Sequence, residues 1–117
     1  MENFENFVQI RLKISEKFCF QLCKEAKADG WRSFKMKVGQ NRQQDYKRAA
    51  LIRKFIGDDC DLMTDANQNW GADEAIDWMR PMAEFRPLWI EEPTSPDDVL
   101  GTKNFEISKS KTFLRFV

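Results

Sequence analysis

FKMKVG, Phe34 to Gly39, alternates apolar and basic side chains and then breaks at a glycine. Phe34, Met36 and Val38 point one way and Lys35 and Lys37 the other, the two-residue period of a β-strand. In an ordinary half-exposed strand the lysines face water. In a parallel barrel strand the same alternation sends one row to the helices and the other to the barrel interior. What recurs downstream bears on the choice. LMTDANQNW (Leu62 to Trp70) and LWIEEPTSPDD (Leu88 to Asp98) also run from apolar residues into charged or amide ones. Lys37 precedes Asp65 by 28 residues, and Asp65 precedes Glu91 by 26. That interval is about one strand–helix unit with its loops. The series reads as functional side chains at equivalent points of consecutive parallel strands.

The segments between the strands have the period of helices. Phe18, Cys19, Leu22, Cys23 and Ala26 fall at spacings of three and four, with Ser15 placed as an N-cap and Gly30 as the left-handed C′ residue. Residues 42–56 carry a stripe of Tyr46, Ala49, Ala50, Ile52 and Ile56, closed by Gly57. Residues 72–85 place Ala75, Ile76, Met79, Met82 and Ala83 on one face, with Asp73 and Glu74 at the positive end of the helix dipole. Pro81 interrupts that helix and should kink or shorten it, at a cost of roughly 3 kcal/mol. The order is α-β-α-β-α-β, and strands joined by single helices run parallel. Residues 1–14 and the stretch after Gly101 show no clear period.

Bulk composition narrows the function classes. A chain of 117 residues is one domain or part of one. The formal net charge is zero, which argues against nucleic acid as the main partner. No apolar run approaches the roughly 18 residues of a membrane span. Glu2 and Glu5 come early, unlike a secretory signal or a transit peptide, so the cytoplasm is the default expectation. Residues 1–56 hold 13 Lys and Arg against 6 Asp and Glu, and residues 57–117 hold 6 against 13. The plain account is solvated helix faces. The sharper one is a basic catalytic group and an acidic metal site in different halves. Cys19, Cys23 and Cys60 have no paired spacing and read as reduced, buried or half-buried thiols. The sequence has no His, which excludes Ser–His–Asp and Cys–His nucleophiles within it.

Asp65 and Glu91, at the ends of neighbouring strands, offer two hard oxygen ligands of the kind Mg²⁺ takes. The alternative for each is a helix cap or a lysine partner. Asn67 is placed to touch a substrate hydroxyl or carboxylate, or else is a turn residue at a strand end. Lys35 and Lys37, on one face of a barrel interior, each raise the cost of charging the other, which makes one of them a usable base. Together these groups describe proton abstraction from a carbon next to a carboxylate, with the new charge stabilised by a metal and the second lysine.

Lys35-Met36-Lys37, Asp65-Ala66-Asn67 and Ile90-Glu91-Glu92-Pro93 resemble the catalytic segments of the enolase superfamily, mandelate racemase/muconate-lactonising group. The runs GWRSFKMKVG, IRKFIGDD, DANQNW and PLWIEEPTSPDDVLG look like those of its sugar-acid dehydratases. The resemblance covers about Ser15 to Gly101. It implies Lys37 as general base, Lys35 as its cationic neighbour, Asp65 and Glu91 as metal ligands, Asn67 on the substrate and Glu92 in support. The reaction it implies is Mg²⁺-assisted dehydration of a sugar acid to a 2-keto-3-deoxy acid. It also makes a mitochondrial location an alternative to the cytoplasm. The family's N-terminal capping domain, third carboxylate ligand and later His–Asp pair have no counterpart in this sequence.

The expected fold is therefore α/β: part of a (β/α)₈ barrel, about three parallel strands with flanking helices. Residues 1–14 are expected as an extension, 15–101 as the partial barrel and 102–117 as a divergent tail. Such a piece is expected to turn over little by itself, because its Mg²⁺ site is incomplete. Its outer strands would be open edges able to pair with another chain. A non-catalytic interaction module is thus the alternative. A small doubly wound domain using its strand ends for phosphate or metal is the third reading, weakened by the lack of a Gly-rich phosphate loop.

Overall fold

The computed structural model describes residues 7–66, 72–91, 105–107 and 112–116; for residues 72 and 89–91 and the last two strands this covers the backbone. The elements are β1 (Val8–Ile10), α1 (Glu16–Ala28), β2 (Ser33–Lys37), α2 (Arg42–Ile56), β3 (Asp61–Asp65), α3 (Ala72–Met79), a 3-10 segment (Pro81–Phe85), β4 (Trp89–Glu91), β5 (Phe105–Ile107) and β6 (Thr112–Phe116). The sheet order is β1-β2-β3-β4-β6-β5.

β2, β3 and β4 are the three expected parallel strands, linked by α2 and α3. The sheet extends further on both sides. β1 pairs parallel with β2, and β6 pairs parallel with β4, while β5 joins β6 antiparallel. The two end segments without a readable period thus cover both edges of the three-strand unit.

The core lies between the sheet and its helices. Phe34, Met36, Val38, Leu62 and Ala66 from the strands meet Cys19, Cys23, Ala49, Ile52, Ala75 and Met79 from the helices. All three cysteines are buried free thiols. Helix ends follow local chemistry. Ser15 Oγ accepts from Phe18 N at 3.2 Å, and Asn41 Oδ1 accepts from Gln44 N at 3.0 Å. Gly57, at φ +79°, closes α2 in a conformation that side chains resist. Pro81 shortens α3: the α-helix stops at Met79 and the chain continues as a 3-10 segment.

Two apolar stripes differ from the expected ones. Phe18 is 64% exposed, whereas Cys19, Cys23 and Ala26 of the same expected stripe are buried and Leu22 is half-buried. Tyr46 is also exposed, its ring tilted against Phe85 with centroids 5.0 Å apart. Its place on the buried face of α2 is taken by two charged residues, Asp45 and Arg48. No helix among the described residues is long and apolar enough to cross a membrane.

Candidate active site

The register sets the site. Lys37 stands opposite Asp65, and Asp65 opposite Glu91, so three adjacent strands end in one row of ionisable residues. Val38 N donates to Asp65 O at 2.9 Å, which ties the ends of β2 and β3 together. Strand alternation turns Lys35, Lys37, Met63 and Asp65 to the face opposite Phe34, Met36 and Leu62. The barrel-interior reading of the FKMKVG alternation therefore holds for Lys35, which is buried, and for Lys37, which is half-buried.

Asp65 lies between the two lysines. Its Oδ2 accepts from Lys37 Nζ at 3.0 Å and sits 3.9 Å from Lys35 Nζ. Asp65 is only 6% exposed, so these ion pairs act where water screens them weakly. Lys35 Nζ also rests over the Phe7 ring, 4.1 Å from its centroid. An aromatic face attracts a cation through its ring quadrupole.

Asp65 offers a buried carboxylate at a strand end, and Glu91 is its register neighbour with its backbone described. Both are hard oxygen donors suited to Mg²⁺. Among the described residues no group of three or more His, Cys, Asp or Glu side chains gathers to hold a metal ion. Asn67 and Glu92 lie outside the described residues.

Sequence reasoning missed a second charged cluster behind Lys37. Asp45 is 1% exposed, and its carboxylate accepts from Gly39 N and Trp78 Nε1, both at 2.8 Å. Arg48, 3.4 Å from Asp45, donates to the backbone oxygens of Lys37 and Leu12. Burial pushes the Asp45 carboxyl up from its ordinary value, opposed by the Gly39 and Trp78 hydrogen bonds and the Arg48 charge. Burial likewise lowers Arg48, with the Asp45 charge opposing. The signal was available: residues 45, 48, 49, 52 and 56 follow helical spacing, which puts both charged residues on the stripe of Ala49 and Ile52.

A family model, Enolase C-terminal domain-like, matches residues 20–112. The chain belongs to this enolase-like family. Mitochondrial enolase superfamily member 1 of Bos taurus is 59% identical over 81 residues, which cover 69% of this chain and 18% of that protein. The L-galactonate dehydratase of Hypocrea jecorina is 48% identical over 85 residues, covering 71% of the chain and 19% of the relative. A racemase from Streptomyces coelicolor with bound magnesium superposes with a TM-score of 0.72 at 37% identity, over 81% of this chain and 30% of that one. The chain thus spans about a fifth of the length of these curated relatives. Within the enolase-like family the parallel strands and helices form part of a (β/α)₈ barrel, and relatives include acid-sugar dehydratases and racemases.

Proposed function

We propose that this chain carries the base and two metal-ligand positions of an L-fuconate dehydratase-like site, a hydro-lyase acting on a sugar acid. The observation that carries the reading is the row Lys37, Asp65, Glu91 at the ends of adjacent strands, with the Lys37 ammonium 3.0 Å from the Asp65 carboxylate. Lys37 removes the proton from the carbon next to the substrate carboxylate, once the charge of Asp65 is balanced by a group other than the Lys37 ammonium. Lys35 is the fixed cation that faces the negative charge developing on the substrate. Mg²⁺, when bound through Asp65 and Glu91, supplies further stabilisation of that charge. Asn67 orients a substrate hydroxyl or carboxylate oxygen. By itself the chain is expected to turn over little, since two carboxylates make a weak Mg²⁺ site.

The choice of L-fuconate rests on the resemblance of PTSPDD, after Glu91 and Glu92, to that kind of dehydratase. A chimera tests it: residues 20–112 replace the matching segment of the Hypocrea jecorina L-galactonate dehydratase. Formation of the 2-keto-3-deoxy acid from L-fuconate, faster than from L-galactonate, is the expected outcome. A chimera that processes only L-galactonate contradicts the substrate assignment.

One observation favours a second reading, an interaction module. β1 is an edge of the sheet among the described residues, and beside it runs an open groove of about 540 Å³ where Ile14, Phe18 and Leu22 are flanked by the polar side chains of Gln9, Arg11, Gln21 and Glu25. Another copy or a longer relative docking there would cover Phe18. Size-exclusion chromatography of the chain, alone and mixed with such a relative, decides: a monomer that never co-elutes removes this reading.

A further inference from the structure

We infer that Arg48 and Asp45 are positioning residues that clamp the end of β2 and so hold Lys37 against Asp65; this rests on the reading of Lys37 as the base. The pair grips the backbone on both sides of Val38. Arg48 donates to the Lys37 carbonyl, and Asp45 accepts from Gly39 N at 2.8 Å. The same guanidinium bonds the Leu12 carbonyl just beyond β1, and the same carboxylate takes the Trp78 indole N–H of α3. One buried pair thereby ties two strand ends, the following loop and two helices. Val38 N, inside the gripped segment, is bonded to Asp65 O, so the clamp also bears on the strand that carries the carboxylate.

Stability alone is a poor reason to bury these charges. A buried ion pair is often no better than apolar residues of the same volume, because desolvation offsets the attraction. Here the desolvation is large: Asp45 is 1% and Arg48 6% exposed. Arg48 Nε is also buried with no hydrogen-bond partner among the described residues, a further cost. The two terminal nitrogens of Arg48 each donate to a backbone oxygen, Leu12 O and Lys37 O, and one of them also reaches the Asp45 carboxylate, a planar fork that fixes atoms in place. The arrangement gives up stability and gains a fixed Lys37 backbone.

The test is a double variant, Asp45→Asn with Arg48→Met, which removes both charges and keeps the volume. Its readout is the acylation rate of Lys37 by an amine-specific reagent, followed by peptide mass spectrometry, with the exposed Lys17 and Lys54 as internal references. Loss of the Lys37–Asp65 contact should raise the Lys37 rate roughly tenfold relative to the references, the scale of one charge-assisted hydrogen bond. A purely structural pair would leave the Lys37 rate unchanged in a folded variant, and that result overturns the inference. Should the double variant fail to fold, Trp78→Phe removes one donor to Asp45 and keeps an aromatic ring there. It should raise the Lys37 rate about twofold to threefold, and no change there overturns the inference equally. The assay needs no substrate. If Lys37 proves not to be the base, the clamp result still stands or falls alone.

Discussion

At the residue scale, the site centres on the Asp65 carboxylate, which two ammonium groups share. Asp65 is nearly dry, and removing its charge takes a carboxylate partner from Lys35, buried beside it. Asp65→Asn should therefore destabilise the fold by about 3 kcal/mol, the range for breaking a buried pair. Urea unfolding measures it, and a loss under about 1 kcal/mol would show that water reaches the site freely. Asp45 gives a separate pH signature. Its carboxyl is raised in the fold, so the native state holds that proton to higher pH than the unfolded chain. Its contribution is fully present below its ordinary value of 3.8 and is lost as pH rises through the raised native value. The stability difference between the parent and Asp45→Asn should thus shrink with rising pH across that window, and a flat difference would contradict the burial argument. Lys35, Lys37 and Asp65 were legible because strand alternation and even spacing mark them. Asp45 and Arg48 share the helical spacing of Ala49 and Ile52 but were passed over, because a stripe traced through apolar residues steps over charged ones, and Tyr46 offered a better apolar match one position away.

At the element scale, caps and breakers decided boundaries. Ser15, Asn41 and Gly57 stop and start α1 and α2 where their chemistry requires, and Pro81 cuts α3 short. Arg53 was not legible as a structural device, since nothing local marks it. Its guanidinium donates to the carbonyls of Gly57, Cys60 and Phe85 at 2.9, 2.7 and 2.8 Å, and to Arg86 O at 3.1 Å. These bonds join the end of α2 to the start of β3 and to the turn before β4. Their acceptors lie up to 33 residues away, beyond the reach of any periodicity. Arg53→Met keeps the stem and leaves these oxygens without their donor. It should lower stability by about 2 to 3 kcal/mol, measured by thermal or urea unfolding, while Lys54→Met next to it should change little.

At the scale of the whole molecule, three central strands were readable and the outer ones were not. Val8–Ile10 is too short for an alternation to register, and Thr112–Phe116 does not alternate. Their pairing is set by the open sides of β2 and β4, a tertiary demand that local sequence does not announce. With those sides covered, the described edges are β1 and β5, each three residues long, and short edges resist uncontrolled pairing. The sheet brings Lys37, Asp65 and Glu91 into line, and the account stands on what that line does. Deuterium uptake from D₂O, at the carbon next to the carboxylate of L-fuconate, tests it most directly in the dehydratase chimera with Mg²⁺. The account predicts uptake in the chimera and, in its Lys37→Ala variant, a fall of about a hundredfold or more, the usual worth of a general base. Undiminished uptake in the Lys37→Ala variant would show that another group takes the proton.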